Sequence, residues 1–417
     1  MADYRSRVID VELAARMSAM GAVLIEGAKA VGKTVTAAQV AATTFRLDVD
    51  RVARAALETM PEQLFAYPTP ILFDEWQETP DIWNLVRRAV DDHRDKGLYL
   101  LTGSARPRDT TTLHSGAGRI ARLRMRPMSL YETGHSTGDV SLAALLNGDA
   151  VTGRAAALTI PDLLERLVIG GWPDLLDTPE ATARGWLGDY LRTLAEVDVP
   201  GMGPRRNPVN VARLMTALAR EVGAPLNRTA LALDVGGDGG PIATETLTNY
   251  LTALERLMIL EPLPAWRPHL RSRTRLRTTP VHHFLDPSVG LAALGVGTQD
   301  LLRDLNAAGY HFESLVLRDL RVYGQALGAT WSSWRDSRTG AEVDAVMERP
   351  DGRWAAFEIK LGEAAADTAA AALHACADKI DPARHGPPLA LVVITGGRFV
   401  YRRPDGVYVV PITALGP

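Results

Sequence analysis

One short segment with two glycines limits the folds open to this chain more than any other feature. It matches the pattern G-x-x-x-x-G-K-[ST] and stands between an apolar run at residues 23–25 and a helix-favouring run at residues 35–42. Its residues are Gly27, Ala28, Lys29, Ala30, Val31, Gly32, Lys33 and Thr34. Glycines let the backbone turn tightly, so that its N–H groups and the next helix N-terminus face a phosphate group. The segment therefore predicts a strand, a phosphate-binding loop and a helix of an α/β domain; a chance glycine-rich turn is the alternative.

The pattern also assigns roles to individual residues. Lys33 is expected to contact the β- and γ-phosphates of ATP, and the Thr34 hydroxyl is expected to hold Mg²⁺. An apolar run at residues 71–73 then ends in two carboxylates, Asp74 and Glu75. Asp74 is expected to be a second Mg²⁺ ligand, and Glu75 to orient and deprotonate the attacking water. An exposed acidic strand end is the alternative interpretation for this pair taken alone.

Two further features are candidates to complete this site. A third apolar run, at residues 99–101, is followed by Thr102 and Ser104, whose hydroxyls are candidates to sense the γ-phosphate or to position water. Simple capping of the strand is the equal alternative for both. Arg119 is the candidate arginine that stabilises charge on the transferring phosphoryl group. Since other arginines follow the same glycine-containing loop, a solvated basic face is an equally good interpretation.

Composition narrows the class of protein without deciding its function. The chain has 417 residues, which is room for roughly two to three domains. Its single cysteine, Cys376, cannot form an internal disulfide, and no Cys/His cluster has zinc-ligand spacing. The sequence shows neither a secretion signal nor an apolar run of membrane-spanning length, so a cytoplasmic protein without a membrane partner is expected. The formal net charge of −3 gives no general attraction to nucleic acid.

Several strings along the chain together resemble one family. They are residues 27–34, FDEWQ at 73–77, LTGSA at 101–105, Gly118-Arg119, and PMSLYE at 127–132. They resemble prokaryotic AAA-type ATPases that carry a C-terminal domain of unknown function. The resemblance implies an α/β fold of four parts, listed in chain order: a P-loop ATPase domain with a parallel sheet at 1–135, a helical lid or linker at 136–205, a winged-helix-like region at 206–295, and an α/β domain similar to PD-(D/E)xK restriction endonucleases at 296–417. It implies no agreed biological role.

The last region contains a candidate second site. Glu313 stands in a predicted helix, Asp344 at a predicted strand, and Glu358 and Lys360 on the next predicted strand. Residues two apart on a strand point to one face, so Glu358 and Lys360 are expected to project together with Asp344 beside them. Carboxylates can hold Mg²⁺, and the metal with a nearby lysine can activate water for attack on a phosphate. This matches the PD-(D/E)xK arrangement; the alternative is a remnant scaffold in which Glu358 and Lys360 form an ordinary ion pair.

A run of arginines follows the three helices predicted in the middle region. Its members are Arg267, Arg271, Arg273, Arg275 and Arg277. On a strand this spacing presents a basic edge, which suits contacts with DNA phosphates. The alternative is a winged helix that contacts protein. Thr279-Pro280 stands where the family usually has a lysine-proline pair, and the adjacent His282 and His283 are expected to be structural because neighbours on a strand point to opposite faces.

Two hypotheses for function follow. The first is an ATP-hydrolysing, Mg²⁺-dependent switch whose nucleotide state controls a DNA-binding, nuclease-like tail. The second is a nucleotide-gated interaction protein, a toxin-like or defence component, whose tail binds a partner and catalyses nothing. The sequence fits either a monomer or an oligomer.

Overall fold

The computed structural model describes residues 4–93, 95–103, 115–149, 151–203, 206–267, 279–336 and 339–417. These residues form two compact units. The first runs to Pro127 and includes Arg256–Met258, whereas the second comprises Met128–Glu255 and Ile259–Pro417. The chain thus leaves the first unit before residue 135, where the sequence places a boundary. The three later predicted regions share the second unit except for Arg256–Met258.

The first unit is an α/β unit in which helices alternate with parallel strands. Its helices are α1 (Ile9–Ala19), α2 (Lys33–Ala38), α3 (Arg51–Thr59), α4 (Pro61–Phe65) and α5 (Ile82–His93). Its strands are β1 (Ala22–Glu26), β2 (Thr43–Arg46), β3 (Ile71–Asp74), β4 (Tyr99–Gly103) and β5 (Ile120–Arg124). The strands lie in the order β2-β3-β4-β1-β5 and pair in parallel. β3 and β4 are buried along their whole length, as expected for central strands of a parallel sheet.

The strand order decides which loops meet. Because β4 lies between β1 and β3, the carboxyl ends of these three strands are neighbours at one edge of the sheet. Thr102 of β4 aligns with Ile25 of β1 on one side and with Asp74 of β3 on the other. The segment after β1, which carries the glycine pattern, therefore lies beside the ends of β3 and β4. Each of the three apolar runs predicted as strands lies within one of these strands.

Aromatic side chains anchor β3 and the turn that follows it. Phe73 stacks on Phe45 with ring centroids 5.8 Å apart, and Trp76 packs against Trp83 at 5.2 Å. Such ring pairs contribute roughly 0.5–1.5 kcal/mol beyond the area they bury. Since Trp76 is only 3% exposed, the tryptophan of the FDEWQ string belongs to the core and fixes the turn that carries Glu75.

The second unit combines a helical part with a mixed sheet. Its helices are α6 (Leu142–Asn147), α7 (Ile160–Ile169), α8 (Glu180–Thr193), α9 (Val199–Gly201), α10 (Pro208–Arg220), α11 (Arg228–Gly236), α12 (Thr244–Arg256), α13 (Pro287–Leu294), α14 (Thr298–Arg303), α15 (Leu305–Gln325), α16 (Ala366–Ala377) and α17 (Pro382–His385). Its strands are β6 (Val140–Ser141), β7 (Leu260–Leu263), β8 (Val281–Phe284), β9 (Thr330–Arg335), β10 (Glu342–Glu348), β11 (Trp354–Lys360), β12 (Leu391–Thr395), β13 (Tyr401–Arg402), β14 (Tyr408–Pro411) and β15 (Leu415–Gly416).

The middle of the chain has the helices that the sequence predicts. α10 and α11 begin at asparagines, since Asn207 accepts from the Val209 N–H and Asn227 from the Ala230 N–H. After α12, β7 pairs antiparallel with β8. Three helices are therefore followed by an antiparallel pair of strands, and the winged-helix-like region stays a prediction. Arg271, Arg273, Arg275 and Arg277 lie outside the described residues.

The C-terminal sheet has the order β13-β14-β12-β11-β10-β9. β11 pairs parallel with β12 and antiparallel with β10, so its neighbours differ in direction. The alanine-rich helix α16 packs on this sheet, where Ala366, Ala369 and Ala370 join the core beside Val393. Small side chains let the helix approach closely, and alanine is the best helix former. No helix in the described ranges is long and apolar enough to cross a membrane.

A buried polar network ties α13 and α15 to the start of the second unit. Arg318 pairs with Asp286 and with Asp319, each at 2.7 Å, and both aspartates are fully buried. Asp286 also accepts from the Gly171 N–H at 3.0 Å, and Asp319 from the Leu130 N–H at 2.9 Å. Every carboxylate in this network thus has both a cationic and a backbone partner, as buried charges require.

Replacing Arg318 with methionine should lower the free energy of unfolding by about 3–5 kcal/mol, because it leaves two buried carboxylates without their cation. Urea titration followed by tryptophan fluorescence measures the loss. The matched control is Arg303→Met, whose side chain is 78% exposed and which should change stability by less than about 0.5 kcal/mol. Equal stability of the two variants would show that the network does not hold the second unit together.

Candidate active site

The loop between β1 and α2 adopts a backbone conformation that is unfavourable for residues other than glycine. Gly32 has φ 97° and Ala30 has φ 65°, both in the left-handed region. A Cβ placed on Gly27 would lie 2.4 Å from the Met125 carbonyl oxygen, closer than real contacts allow. Both glycines of the pattern are therefore required by the backbone, one by its dihedral angle and the other by a close neighbour.

Lys33 begins α2 and is only 6% exposed. Its Nζ donates to the carbonyl oxygens of Gly27 at 3.0 Å and Ala28 at 2.8 Å. Burial lowers the pKa of Lys33 to about 8, and the nearby carboxylates of Glu75 and Asp74 offset part of that shift. The Lys33 ammonium group therefore donates to two carbonyls of the loop itself. A phosphate is a stronger partner for it, because hydrogen bonds between two charged groups are stronger than those to a neutral carbonyl.

Three side chains from three elements meet at one oxygen. Thr34 Oγ1 donates to Asp74 Oδ1 at 2.8 Å, and Thr102 Oγ1 donates to the same oxygen at 2.5 Å. Asp74 is 5% exposed and Thr102 is fully buried. A hydroxyl and a carboxylate placed together are the oxygen ligands that Mg²⁺ takes, so the residues present fit this ion.

Glu75 lies one residue beyond Asp74 and adopts the left-handed region, with φ 54° and ψ 48°. A non-glycine residue in this region costs about 1–3 kcal/mol, and such strain is concentrated at functional sites. The Gln77 side-chain amide donates to the Glu75 carboxylate. A Cβ on Gly103 would lie 2.5 Å from Gln77 Oε1, so Gly103 leaves room for this amide. Gln77 belongs to the FDEWQ string, but no sequence pattern predicts this role for it.

Arg119 lies away from the phosphate loop of its own chain. Its carbonyl accepts from the Ala22 N–H at 3.1 Å, which places it where β1 begins, whereas the loop follows the other end of that strand. The length of β1 separates these ends by roughly 13 Å at about 3.3 Å per residue. The Arg119 side chain is 43% exposed and pairs with Asp91 at 2.9 Å. A catalytic role for Arg119 would therefore need a nucleotide held by another copy of the chain.

Ser104, the other hydroxyl candidate, lies outside the described residues.

Arg7 belongs to no recognised motif, but the structure brings its side chain to the loop. Its Nη1 donates to the Val31 carbonyl at 2.9 Å, and the side chain is buried.

Residues 20–134 match the family model of an AAA domain. This match supports the prediction of an AAA-type domain over these residues. Residues 160–300 match a domain of unknown function, DUF8612, and residues 308–415 match a second one, DUF4143. The first match covers helices of the second unit, and the second covers its mixed sheet. Neither match indicates an activity.

Two curated relatives share part of this sequence. They are the uncharacterized proteins Mb2031c of Mycobacterium bovis and Rv2008c of Mycobacterium tuberculosis, each 26% identical over 299 residues. The aligned part covers 70% of this chain and 58% of each relative. The chain therefore spans little more than half the length of these relatives.

Solved structures offer only distant likeness. A RuvB mutant of Thermotoga maritima aligns with 62% of this chain and 88% of its own, at 16% identity and a TM-score of 0.25. A Drosophila ORC structure bound to DNA aligns with 68% of this chain and 83% of its own, at 12% identity and a TM-score of 0.20. Scores this low establish no shared arrangement of the whole chain.

The second candidate site is brought together by α15, β10 and β11. Lys360 Nζ lies 3.3 Å from Asp344 Oδ2 and 3.1 Å from Glu358 Oε1. Glu358 accepts from the Asp344 N–H at 3.1 Å, and Asp344 accepts from the Ile359 N–H at 2.7 Å. Glu313 lines the same cleft of about 1300 Å³ as Asp344, Lys360 and Arg267. The alternation predicted for this strand is therefore present.

Burial dominates the electrostatics of this cluster. It raises the pKa of Glu358 to about 8, reinforced by Asp344 and opposed by Lys360. Burial also raises the pKa of Glu313 well above its ordinary value, with Asp344 adding to the effect. Within the described ranges, no group of three His, Cys, Asp or Glu side chains is arranged to hold a metal ion. Glu313, Asp344 and Glu358 are therefore not arranged as the expected set of three magnesium ligands in this structure. Lys360 and backbone N–H groups pair with the Asp344 and Glu358 carboxylates instead.

The adjacent histidines face different partners. His283 Nδ1 lies 2.9 Å from Ser314 Oγ, and its Nε2 lies 3.7 Å from Glu313 Oε1. His282 Nε2 instead lies 3.6 Å from Glu255 Oε1. Burial lowers the pKa of His283 to about 3, with nearby positive charge adding to the shift. His283 is therefore a neutral neighbour of Glu313, a contact that sequence reasoning did not find.

Proposed function

We propose that this chain is a Mg²⁺-dependent ATPase whose nucleotide state controls its C-terminal region. The observation that carries this proposal is the meeting of Thr34, Asp74 and Thr102 beside the buried Lys33. These groups come from β3, β4 and α2, which the parallel sheet brings to one edge. The match of this segment to an AAA domain supports the same assignment.

Each residue of this site would have its own role in ATP hydrolysis. Lys33 would turn from the loop carbonyls to the β- and γ-phosphates and neutralise their charge. Thr34 and Asp74 would hold Mg²⁺, which supplies charge neutralisation at the phosphate oxygens. Glu75 would orient a water molecule and accept its proton while the water oxygen bonds to the γ-phosphorus. The bond from that phosphorus to the bridging oxygen breaks, leaving ADP and inorganic phosphate.

The protein's own groups hold both reactive side chains in the structure. Lys33 bonds to two loop carbonyls, and Glu75 accepts from Gln77. Exchange of these partners for ATP and water is the local event that would accompany binding. Because Thr102 and Thr34 share one oxygen of Asp74, a change at the γ-phosphate would also reach β4.

For the tail, we propose a DNA-binding, nuclease-like site at Glu313, Asp344, Glu358 and Lys360. Glu313, Asp344 and Lys360 line one cleft, and Glu358 pairs with Lys360, which supports this proposal. Arg267 on the same cleft supports contact with phosphates. The same arginine begins the run that continues through Arg277 in the sequence. Lys360 can stabilise charge on a phosphate that enters the cleft.

Replacing Glu358 with glutamine tests this site. Cleavage of labelled single- and double-stranded DNA should fall by about 100-fold or more, because the variant removes the carboxylate that Lys360 pairs with. The matched control is Glu342→Gln on the same cleft, whose side chain is 60% exposed and which should retain cleavage. Absence of cleavage by the unaltered chain, with or without ATP, would exclude the nuclease assignment.

A second candidate is a nucleotide-gated interaction protein with a non-catalytic tail. The observation that favours it is that Asp344, Glu358 and Lys360 satisfy one another. Such a cluster can stabilise a binding domain without chemistry. Capture of the same partner by the Asp344→Ala and Glu358→Ala proteins as by the unaltered chain would support this candidate, whereas loss of cleavage in Glu358→Gln would reject it.

A further inference from the structure

The residues through which the chain leaves the first unit lie against the phosphate loop. The Met125 N–H donates to the Glu26 carbonyl at 2.7 Å, directly before the loop begins. The Met125 carbonyl oxygen occupies the position that a side chain on Gly27 would need. Met125 therefore lies in direct contact with the start of the loop.

Arg7 joins the same two segments from a third direction. Its guanidinium donates from Nη1 to the Val31 carbonyl at 2.9 Å and from Nη2 to the Arg126 carbonyl at 2.7 Å. Arg7 is only 7% exposed, and its backbone N–H donates to Asp10 Oδ2 at 2.8 Å. Tyr4 adds a contact of its hydroxyl with Thr36 Oγ1 at 3.1 Å in α2. The planar guanidinium, with fixed donors, thus fixes the spacing between the loop and residue 126.

Beyond Pro127, the chain enters the buried network of the second unit. The Met128 N–H donates to the Gly171 carbonyl at 2.6 Å, and the Leu130 N–H donates to Asp319 at 2.9 Å. Asp319 lies on α15, the helix that also carries Glu313. Residues 125–130, called here the connector, are thus held at one end by the phosphate loop and at the other by α15.

We propose that Arg7 is a positioning residue that couples the phosphate loop to the connector, so that nucleotide binding alters the stability of α15. The coupling depends on the ATP binding proposed above and adds its route to the second unit. Nucleotide binding to the loop would shift the Val31 carbonyl. Because the Arg7 guanidinium bonds to the carbonyls of both Val31 and Arg126, Arg126 would shift with it. The connector then transmits it along the chain to Leu130 and Asp319.

Hydrogen–deuterium exchange of the full chain tests the coupling. Spectra are recorded with and without a non-hydrolysable ATP analogue and Mg²⁺, for the unaltered chain, Arg7→Met, Arg7→Lys and the control Arg16→Met. Arg16 lies on α1 with its side chain 47% exposed. A titration with fluorescent ATP measures binding by each protein separately, and circular dichroism verifies that each is folded.

In the unaltered chain and in Arg16→Met, the analogue should change exchange by about fivefold or more in residues 128–132 and in α15. In Arg7→Met that response should fall below about twofold while the analogue still protects the phosphate loop, and Arg7→Lys should be intermediate because an ammonium cannot bridge two carbonyls with fixed geometry. An undiminished response in folded Arg7→Met, or no response in an unaltered chain that binds the analogue, would overturn the coupling and leave the ATPase assignment standing. Absence of binding by the unaltered chain would overturn both.

Discussion

Glu75→Gln protein is expected to bind ATP normally and to hydrolyse it about 10²–10⁴ times more slowly than the unaltered chain. The expected loss is the usual contribution of a positioned general base. Glutamine preserves the size of the side chain and a hydrogen bond with Gln77, so the strained turn after β3 should survive. Steady-state phosphate release measures turnover, and titration with fluorescent ATP measures affinity, which should stay within about threefold of the original value.

The control for this variant is Glu78→Gln, an exposed glutamate on the same turn. Its turnover should equal that of the unaltered chain. Turnover by Glu75→Gln within tenfold of the control would assign the role of base to another group. A parallel loss of affinity would instead indicate that the substitution disturbs Asp74 and the loop.

Lys33→Ala protein is expected to lose ATP binding by about 100-fold and to show no hydrolysis above background. Hydrogen bonds to charged groups contribute about 1.5–3 kcal/mol each, and 1.4 kcal/mol corresponds to a tenfold change in affinity. The lysine is buried in the loop, so solvent would replace its charge poorly. Its amine also bonds to the Gly27 and Ala28 carbonyls, and alanine leaves both without this donor.

The matched control is Lys96→Ala, because Lys96 is exposed and precedes β4 rather than following it. This variant should bind and hydrolyse ATP as the unaltered chain does. Affinity of Lys33→Ala equal to that of the control would contradict the placement of nucleotide on this loop.

Much of the first unit follows from its sequence because local patterns and topology agree there. The loop pattern stands between a predicted strand and a predicted helix, and a second apolar run ends in Asp74. An ATP site can form from these two segments only if the ends of their strands meet. The parallel sheet brings them together with Thr102 between them. The AAA-domain match of residues 20–134 confirms the class of this domain.

Other parts of the site depend on contacts that no local pattern encodes. Arg7 reaches the loop through its tertiary position, and its neighbours in the sequence carry no motif. The role of Gln77 depends on the turn at Glu75 and on the space beside Gly103. For Arg119, spacing after a glycine-containing loop indicated a catalytic arginine, but strand direction places it at the start of β1.

The tail shows how a strand pattern can predict proximity without predicting chemistry. The alternation of Glu358 and Lys360 was sufficient to place both beside Asp344. Whether such residues hold a metal depends on the distances among all ligands, and here both carboxylates pair with Lys360. The buried position of His283 beside Glu313 likewise follows from the packing of β8 against α15.

Phosphate release from ATP by the purified, unaltered chain tests the central claim most directly. The assay compares excess Mg²⁺ with excess chelator at a concentration of ATP that saturates binding. We expect steady turnover with Mg²⁺ and none above background with chelator, because Thr34 and Asp74 place a hydroxyl and a carboxylate near Lys33 as ligands for this ion. Saturated binding without phosphate release, or release unaffected by the chelator, would contradict a Mg²⁺-dependent ATPase.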